Sequence, residues 1–177
     1  MSHPKLCVVD TNVPKTANLA TKPDANTDVP LECVLACIGA VEEVTKNRSL
    51  VIDSGDEIFD EYRRQLSMSG QPGIGDTFMR WVHDNRWQLP DSQRVAITRL
   101  DNSYVEFPDH NGLREFDLSD RKFVAVSNAH PGKPPILQAT DSKWWAWKEP
   151  LADVGIQVHF LCASYAESKC REKLGDA

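Results

Sequence analysis

Four acids in this chain sit where chemistry can be done. Asp10 closes the apolar run "LCVVD", and Asp141 closes "ILQATD". Asp120 lies in "DLSD" at the start of a helical pattern, and Glu61 lies in the amphipathic stretch "DEIFDEYRRQL". A carboxylate at the tip of a buried strand costs free energy unless its charge is balanced. Several carboxylates drawn within a few ångströms raise one another's pKa, and a divalent cation resolves that conflict. Hard oxygen ligands suit Mg²⁺ or Mn²⁺. Asp-rich sites holding such ions carry out in-line phosphodiester hydrolysis, activating water and neutralising charge on the phosphate.

Each acid also has an ordinary alternative. Asp10 is then a strand end reaching water, and Asn12 makes a turn. Asp117 and Asp120 are then an N-cap and its partner. Glu61 is then a solvated helix acid, and Asp141 caps the helix beginning at Ser142. The four become a site only if the fold brings them to one place.

The elements that must do so read as alternating strands and helices, the pattern of a parallel sheet covered by helices. "KLCVVD" is a first strand, followed by the polar loop "TKPDANTDV" and a helix opened by Pro30 and running to Asn47. "SLVID" is a short strand and "DEIFDEYRRQL" a helix. The Gly-rich break "SMSGQPGIGD" leads into the helix "TFMRWVHDNRWQ" and lacks the Gly-Lys-Ser/Thr ending of a phosphate loop. "RVAITRL" and "SYVEF" alternate as a short strand or hairpin. "DLSDRKFVAVSNAH" is a helix, "PPILQATD" a strand, "SKWWAWKEPLADVG" a helix and "IQVHFLC" a last strand. Right-handed crossovers place the carboxyl ends of parallel strands on one edge, where such sheets bind ligands. The expected fold is a three-layer α/β/α sandwich with a central, mostly parallel, Rossmann-like sheet. One domain of 177 residues is expected, with its core at 5–162 and a charged tail at 163–177 that reads as a partly frayed helix.

Composition fits that fold: 41% hydrophobic, 26% charged and a net charge of −6. There is no apolar run of about 18 residues and no basic-then-apolar leader, which points to a cytoplasmic protein with no membrane partner. The five cysteines and five histidines show no disulfide or zinc spacing, and Cys33 and Cys37 read as buried helix thiols. The acidic balance argues against a general nucleic-acid surface.

Together, "VVDTNV", "IFDEYRRQL", "DLSDRKFVAV" and "ILQATDSKWW" resemble the ordered motifs of the PIN-domain family over residues 5–162. The resemblance implies a metal-dependent endoribonuclease acting on single-stranded RNA, of a toxin or defence type. Its partners would be RNA, an antitoxin or other regulatory protein, and a second copy in a homodimer. It implies Asp10, Glu61, Asp120 and Asp141 as the catalytic metal ligands, with Asp117 a fifth acid. Asn12 and Thr140 match small polar residues that support the site. The chain is longer than the compact toxins, with extra residues around 68–116.

Setting the four acids aside leaves the remaining charges nearly balanced, so local basic patches can contact phosphates. Arg63, Arg64, Arg121, Lys122 and Lys143 are the candidates. Trp144, Trp145 and Trp147 are candidates to stack on unpaired bases, but three tryptophans in four residues cannot share one face, and helix core is the expected role for at least two of them. Two other readings compete: a catalytically degenerate PIN-like scaffold or RNA-binding module, and a haloacid-dehalogenase-type phosphatase. The phosphatase needs a second Asp two residues after Asp10, where this chain has Asn12.

Overall fold

The computed structural model describes residues 4–24 and 26–175; the last two residues of the expected tail lie outside them. The chain is mixed α/β, with a small parallel sheet and seven α-helices among the described residues. Val8 and Val9, both β-branched and fully buried, form β1 (Val8–Val9). It pairs in parallel with β6 (Ile136–Gln138), Val8 opposite Ile136 and Val9 opposite Leu137. β6 pairs in parallel with β7 (Val158–Phe160). On the other side of β1, Cys7 bridges to Leu50 just before β2 (Ile52–Asp53). β2 pairs in parallel with β3 (Arg94–Val95). The remaining strands, β4 (Arg99–Leu100) and β5 (Ser103–Tyr104), form a small antiparallel hairpin turned at Asp101, whose φ is +51°.

The helices bury the faces that their apolar spacing dictates. α2 (Leu31–Asn47) buries Cys33, Cys37, Ala40, Val41 and Val44, and ends on Arg48 in the left-handed region. α3 (Glu57–Gln65) buries Ile58, Phe59 and Tyr62. The Tyr62 hydroxyl donates to the carbonyl of Val9 at 2.5 Å, which fastens α3 to β1. α5 (Arg121–Ala129) is buried along most of its length, and α6 (Ser142–Asp153) buries Trp144 and Leu151. All five cysteines are free and buried.

Several local features differ from the sequence reading. Residues 12–18 form a helix, α1 (Asn12–Asn18), immediately after β1. Pro14 sits in its first turn, where a missing N–H costs nothing. α4 (Ile74–Asn85) starts inside the Gly-rich break, because Asp76 turns back to accept the N–H of Gly73 at 2.9 Å. A Cβ at Gly75 would stand 1.8 Å from the Pro14 carbonyl oxygen, so α1 and α4 meet backbone to backbone there. The C-terminal segment is the expected helix, packed and not frayed over its described length: α7 (Ala163–Gly175) buries Ala166 and Cys170. Tyr165 donates to Asp28 at 2.7 Å and Lys173 to Ser142 at 2.8 Å. Among the described residues, no helix is long and apolar enough to cross a membrane.

Candidate functional site

β1 and β6 are parallel neighbours, so the residues leaving their carboxyl ends emerge side by side. Asp10 follows β1 and Asp141 follows β6. Asn12, the first residue of α1, ties the two ends together: its side-chain oxygen accepts the Thr140 N–H at 2.6 Å and hydroxyl at 2.8 Å. The Asn12 N–H donates to Asp10 Oδ1 at 2.8 Å. Asp10 Oδ2 has no hydrogen-bond partner among the described residues. Asp10 is only 4% exposed. Burial pushes its carboxyl well above the ordinary 3.8; the Asp120 charge adds to this, the Asn12 N–H opposes it, and Glu61 and Asp141 add further.

Glu61 reaches the same edge because Tyr62, the next residue of α3, is bonded to β1. Thr11 Oγ1 donates to its Oε1 at 2.7 Å, and the Lys122 ammonium donates to its Oε2. Lys122 is 6% exposed and also donates to the Ser119 carbonyl. Asp120 stands at the N-cap position of α5, not within its first turn. Asp117 and Ser119 make the preceding turn: Asp117 Oδ1 accepts the Ser119 N–H at 3.0 Å and hydroxyl at 2.8 Å. Trp144, fully buried, aims its indole Nε1–H at Asp120 Oδ2 over 3.1 Å. The Asp120 carboxyl is pushed up to about 6, by burial first and then by Asp117, against the Trp144 hydrogen bond, with Asp141 and Glu61 adding. Asp141 caps α6, accepting the Lys143 N–H at 2.9 Å on Oδ1. Asp10, Glu61, Asp120 and Asp141 line one cleft of about 190 Å³, with Asn12 in its wall and Lys15 at its rim.

The other expected residues are distributed differently. Asp117 does not line this cleft; Lys143 Nζ pairs with it at 3.0 Å and holds its carboxyl below the usual range. Lys122 is not a surface phosphate contact, because its ammonium is spent inside the site on Glu61. Arg121 turns inward to the carbonyls of Phe116 and Arg114 and to the Ser103 hydroxyl. Arg63 is exposed and pairs with Asp60 at 3.7 Å. Arg64 opens onto an adjoining groove. Trp145 packs edge-on to Phe160 and Trp147 against Phe116. Lys15 and the indole of Trp144 were not legible as parts of the site. Lys15 is placed by α1, which the polar run around Pro14 concealed, and the Trp144 bond to Asp120 spans 24 residues.

Asp10 Oδ2 and Asp141 Oδ2 lack hydrogen-bond partners among the described residues. Free carboxylate oxygens of this kind fit a hard divalent cation. Among the described residues, no three Asp, Glu, His or Cys side chains converge closely enough to enclose an ion as they stand. Compared with known proteins, the chain matches no family model, no curated protein and no solved structure.

Proposed function

We propose that this chain is a divalent-metal-dependent endoribonuclease of PIN type, hydrolysing phosphodiester bonds of single-stranded RNA. The carrying observation is the cleft lined by Asp10, Glu61, Asp120 and Asp141 at the carboxyl ends of two neighbouring parallel strands. On this reading the fold is a three-layer α/β/α sandwich. Asp10, Asp120 and Asp141 would hold Mg²⁺ or Mn²⁺. When bound, the ion would supply a water of lowered pKa and charge neutralisation at the phosphate.

The protein's own part is positioning. Asn12 and Thr140 lock the ends of β1 and β6 together, which fixes the separation of Asp10 from Asp141. Trp144 orients the Asp120 carboxylate, as outer hydrogen bonds do for metal-ligating acids. Lys122 and Thr11 hold Glu61 against the cleft wall, which fixes its carboxylate in one orientation beside the other acids. Lys15 at the rim meets an incoming phosphate. An antitoxin-like inhibitor or a second copy of the chain belongs to this reading as a partner.

The internal Lys122–Glu61 pair favours a second reading, a PIN-like RNA-binding module in which a lysine has neutralised part of the site. Incubating a labelled single-stranded RNA with the protein in Mg²⁺, Mn²⁺ or EDTA decides between them. Cleavage that EDTA abolishes, and that Asp10→Asn loses, supports the nuclease. Binding without cleavage in either metal supports the module.

A further inference from the structure

A second concavity, of about 420 Å³, opens directly beside the acidic cleft and shares Glu61, Gln65 and Ser119 with it. Its walls carry the opposite charge. Arg64 projects from α3, and Arg99 faces it from β4, with Asn102 at the tip of the β4–β5 hairpin. Arg64 has no hydrogen-bond or ion-pair partner among the described residues. Arg99 is 63% exposed at its side chain, yet it is oriented: one guanidinium nitrogen donates to Glu57 at 2.8 Å. The Tyr104 hydroxyl donates to the same Glu57 oxygen at 2.8 Å. The same Arg99 nitrogen also reaches the Tyr104 hydroxyl at 3.5 Å, which leaves the Nε and Nη1 N–H groups of Arg99 for a ligand. An arginine held this way gives up little freedom on binding an anion and presents a fork that matches phosphate.

We propose that this groove is the subsite for the nucleotide adjoining the scissile bond of a single-stranded RNA, with Arg64 and Arg99 holding its phosphate. The proposal rests on the acidic cleft being where the phosphodiester is cut. A strand whose reacting phosphate lies among the acids carries its next phosphate out of the cleft, and the shared wall of Glu61, Gln65 and Ser119 leads into the basic groove. The acids repel a phosphate that is not bound through a cation, so an arginine pair one step away supplies the anchoring that the cleft cannot. The hairpin that contributes Arg99 and Asn102 belongs to the extra segment around 68–116 and not to the sheet, so it can set substrate choice without altering the strand ends that carry the acids.

The test is fluorescence anisotropy with fluorescein-labelled decauridylate in EDTA, over a series of salt concentrations. Arg64→Ala/Arg99→Ala is compared with wild type and with Arg171→Ala, an exposed arginine on α7. Losing the arginine pair that neutralises one phosphate of a single strand should lower the slope of log affinity against log salt by about 0.7. Affinity should fall by roughly tenfold at low salt, and Arg171→Ala should bind as wild type does. Arg64→Glu, which breaks no contact in the free protein, should weaken binding at least as much as the loss of Arg64 alone, so a folding defect at Arg99 cannot decide the result. The subsite is overturned if wild type does not bind, or if the double variant keeps both affinity and slope. Cleavage is scored separately in Mn²⁺. A wild type that binds through the arginines but never cuts ends the nuclease reading and leaves the groove as an RNA site. A cutting enzyme whose KM and affinity ignore both substitutions ends the subsite alone.

Discussion

Replacing Asp120 by Asn should stabilise the metal-free protein at neutral pH. Burial and the charges of Asp117, Asp141 and Glu61 raise the Asp120 carboxyl from 3.8 to about 6. Below pH 3.8 the group is protonated in both folded and unfolded chains and contributes nothing. As pH rises from 3.8 toward 6, the unfolded chain loses its proton first, so stability falls; above 6 the cost is constant. Each pH unit between the two values is worth about 1.4 kcal/mol, which puts the full cost at about 3 kcal/mol. Asn has nearly the same shape and keeps an oxygen to accept the Trp144 N–H, but it buries an amide with incomplete partners, at about 1 kcal/mol. The net gain is then about 2 kcal/mol, or about 4–8 °C in Tm for a chain of this length.

Thermal melts followed by circular dichroism in EDTA at pH 7.5 and 4.5 read this directly. At pH 4.5 the charge cost should shrink to about a third, so most of the advantage of the variant should disappear. Added Mn²⁺ should reverse the order, because binding to the folded wild type adds stability that a chain short of one ligand gains less of. A variant that melts below wild type at pH 7.5 in EDTA would refute the reasoning. So would a difference between the two proteins that does not change with pH. Asp120 would then be a structural acceptor for Trp144, and its charge would not be strained.

Trp144→Phe removes the donor to Asp120 while retaining most of the buried ring, and should lower Mn²⁺ affinity in titration calorimetry by about 10- to 100-fold. Asp117→Asn should keep most of the cleavage activity, because its carboxylate pairs with Lys143 outside the cleft; loss equal to that of Asp120→Asn would place it in the site. Asp76 is the converse of Asp120. Burial pushes its carboxyl up, but Lys22 with the N–H groups of Ser67 and Gly73 and the Asn18 amide overcome this and hold it well below 3.8. Its stabilisation is therefore present above pH 3.8 and lost as pH falls through the lowered value, and Asp76→Ala should cost about 3–5 kcal/mol by urea unfolding at pH 7. Gly75→Ala sets a Cβ against the Pro14 carbonyl and should destabilise by about 1–3 kcal/mol in the same assay.

The strand ends were legible because their chemistry is local. Val8 and Val9 are β-branched and apolar, Asp10 follows them, and the same logic found Asp141 after β6. The long helices were legible from spacing, as in α2, where Pro30 starts the helix and the apolar positions fall on one face. The features that stayed hidden depend on contacts distant in sequence. α1 carries its apolar residues Val13 and Ala17 in a polar run interrupted by Pro14, and it is held by packing against α2 and α4. Lys122 looked like a surface cation because its partner, Glu61, lies 61 residues away. The packing of α7 likewise rests on Asp28 and Ser142, far from the tail in sequence.

Asp53 shows why an acid at a strand end does not identify itself. Like Asp10, it ends a short apolar parallel strand and is almost fully buried, at 2% exposed. Its two oxygens accept three backbone N–H groups, from Gly55 at 3.0 Å, Glu57 at 2.8 Å and Ile58 at 2.9 Å. Both oxygens are therefore used up in starting α3, and the acid positions Glu61 without entering the cleft. Asp10 receives one N–H on one oxygen, and three other carboxylates share the cleft with its second. The path of the backbone just beyond each strand makes the difference. After Asp53 the chain turns through Gly55 and Asp56, the latter at φ +64°, which lets successive N–H groups fold back onto the carboxylate. After Asp10 the chain enters α1 at once, so the N–H groups beyond Asn12 are drawn into the helix and its opening turns, Val13 bonding to the Asp10 carbonyl and Lys15 to that of Thr11. An early helix start thus leaves one carboxylate with an unsatisfied oxygen in a cleft that four acids line, and a wide turn leaves the other fully satisfied.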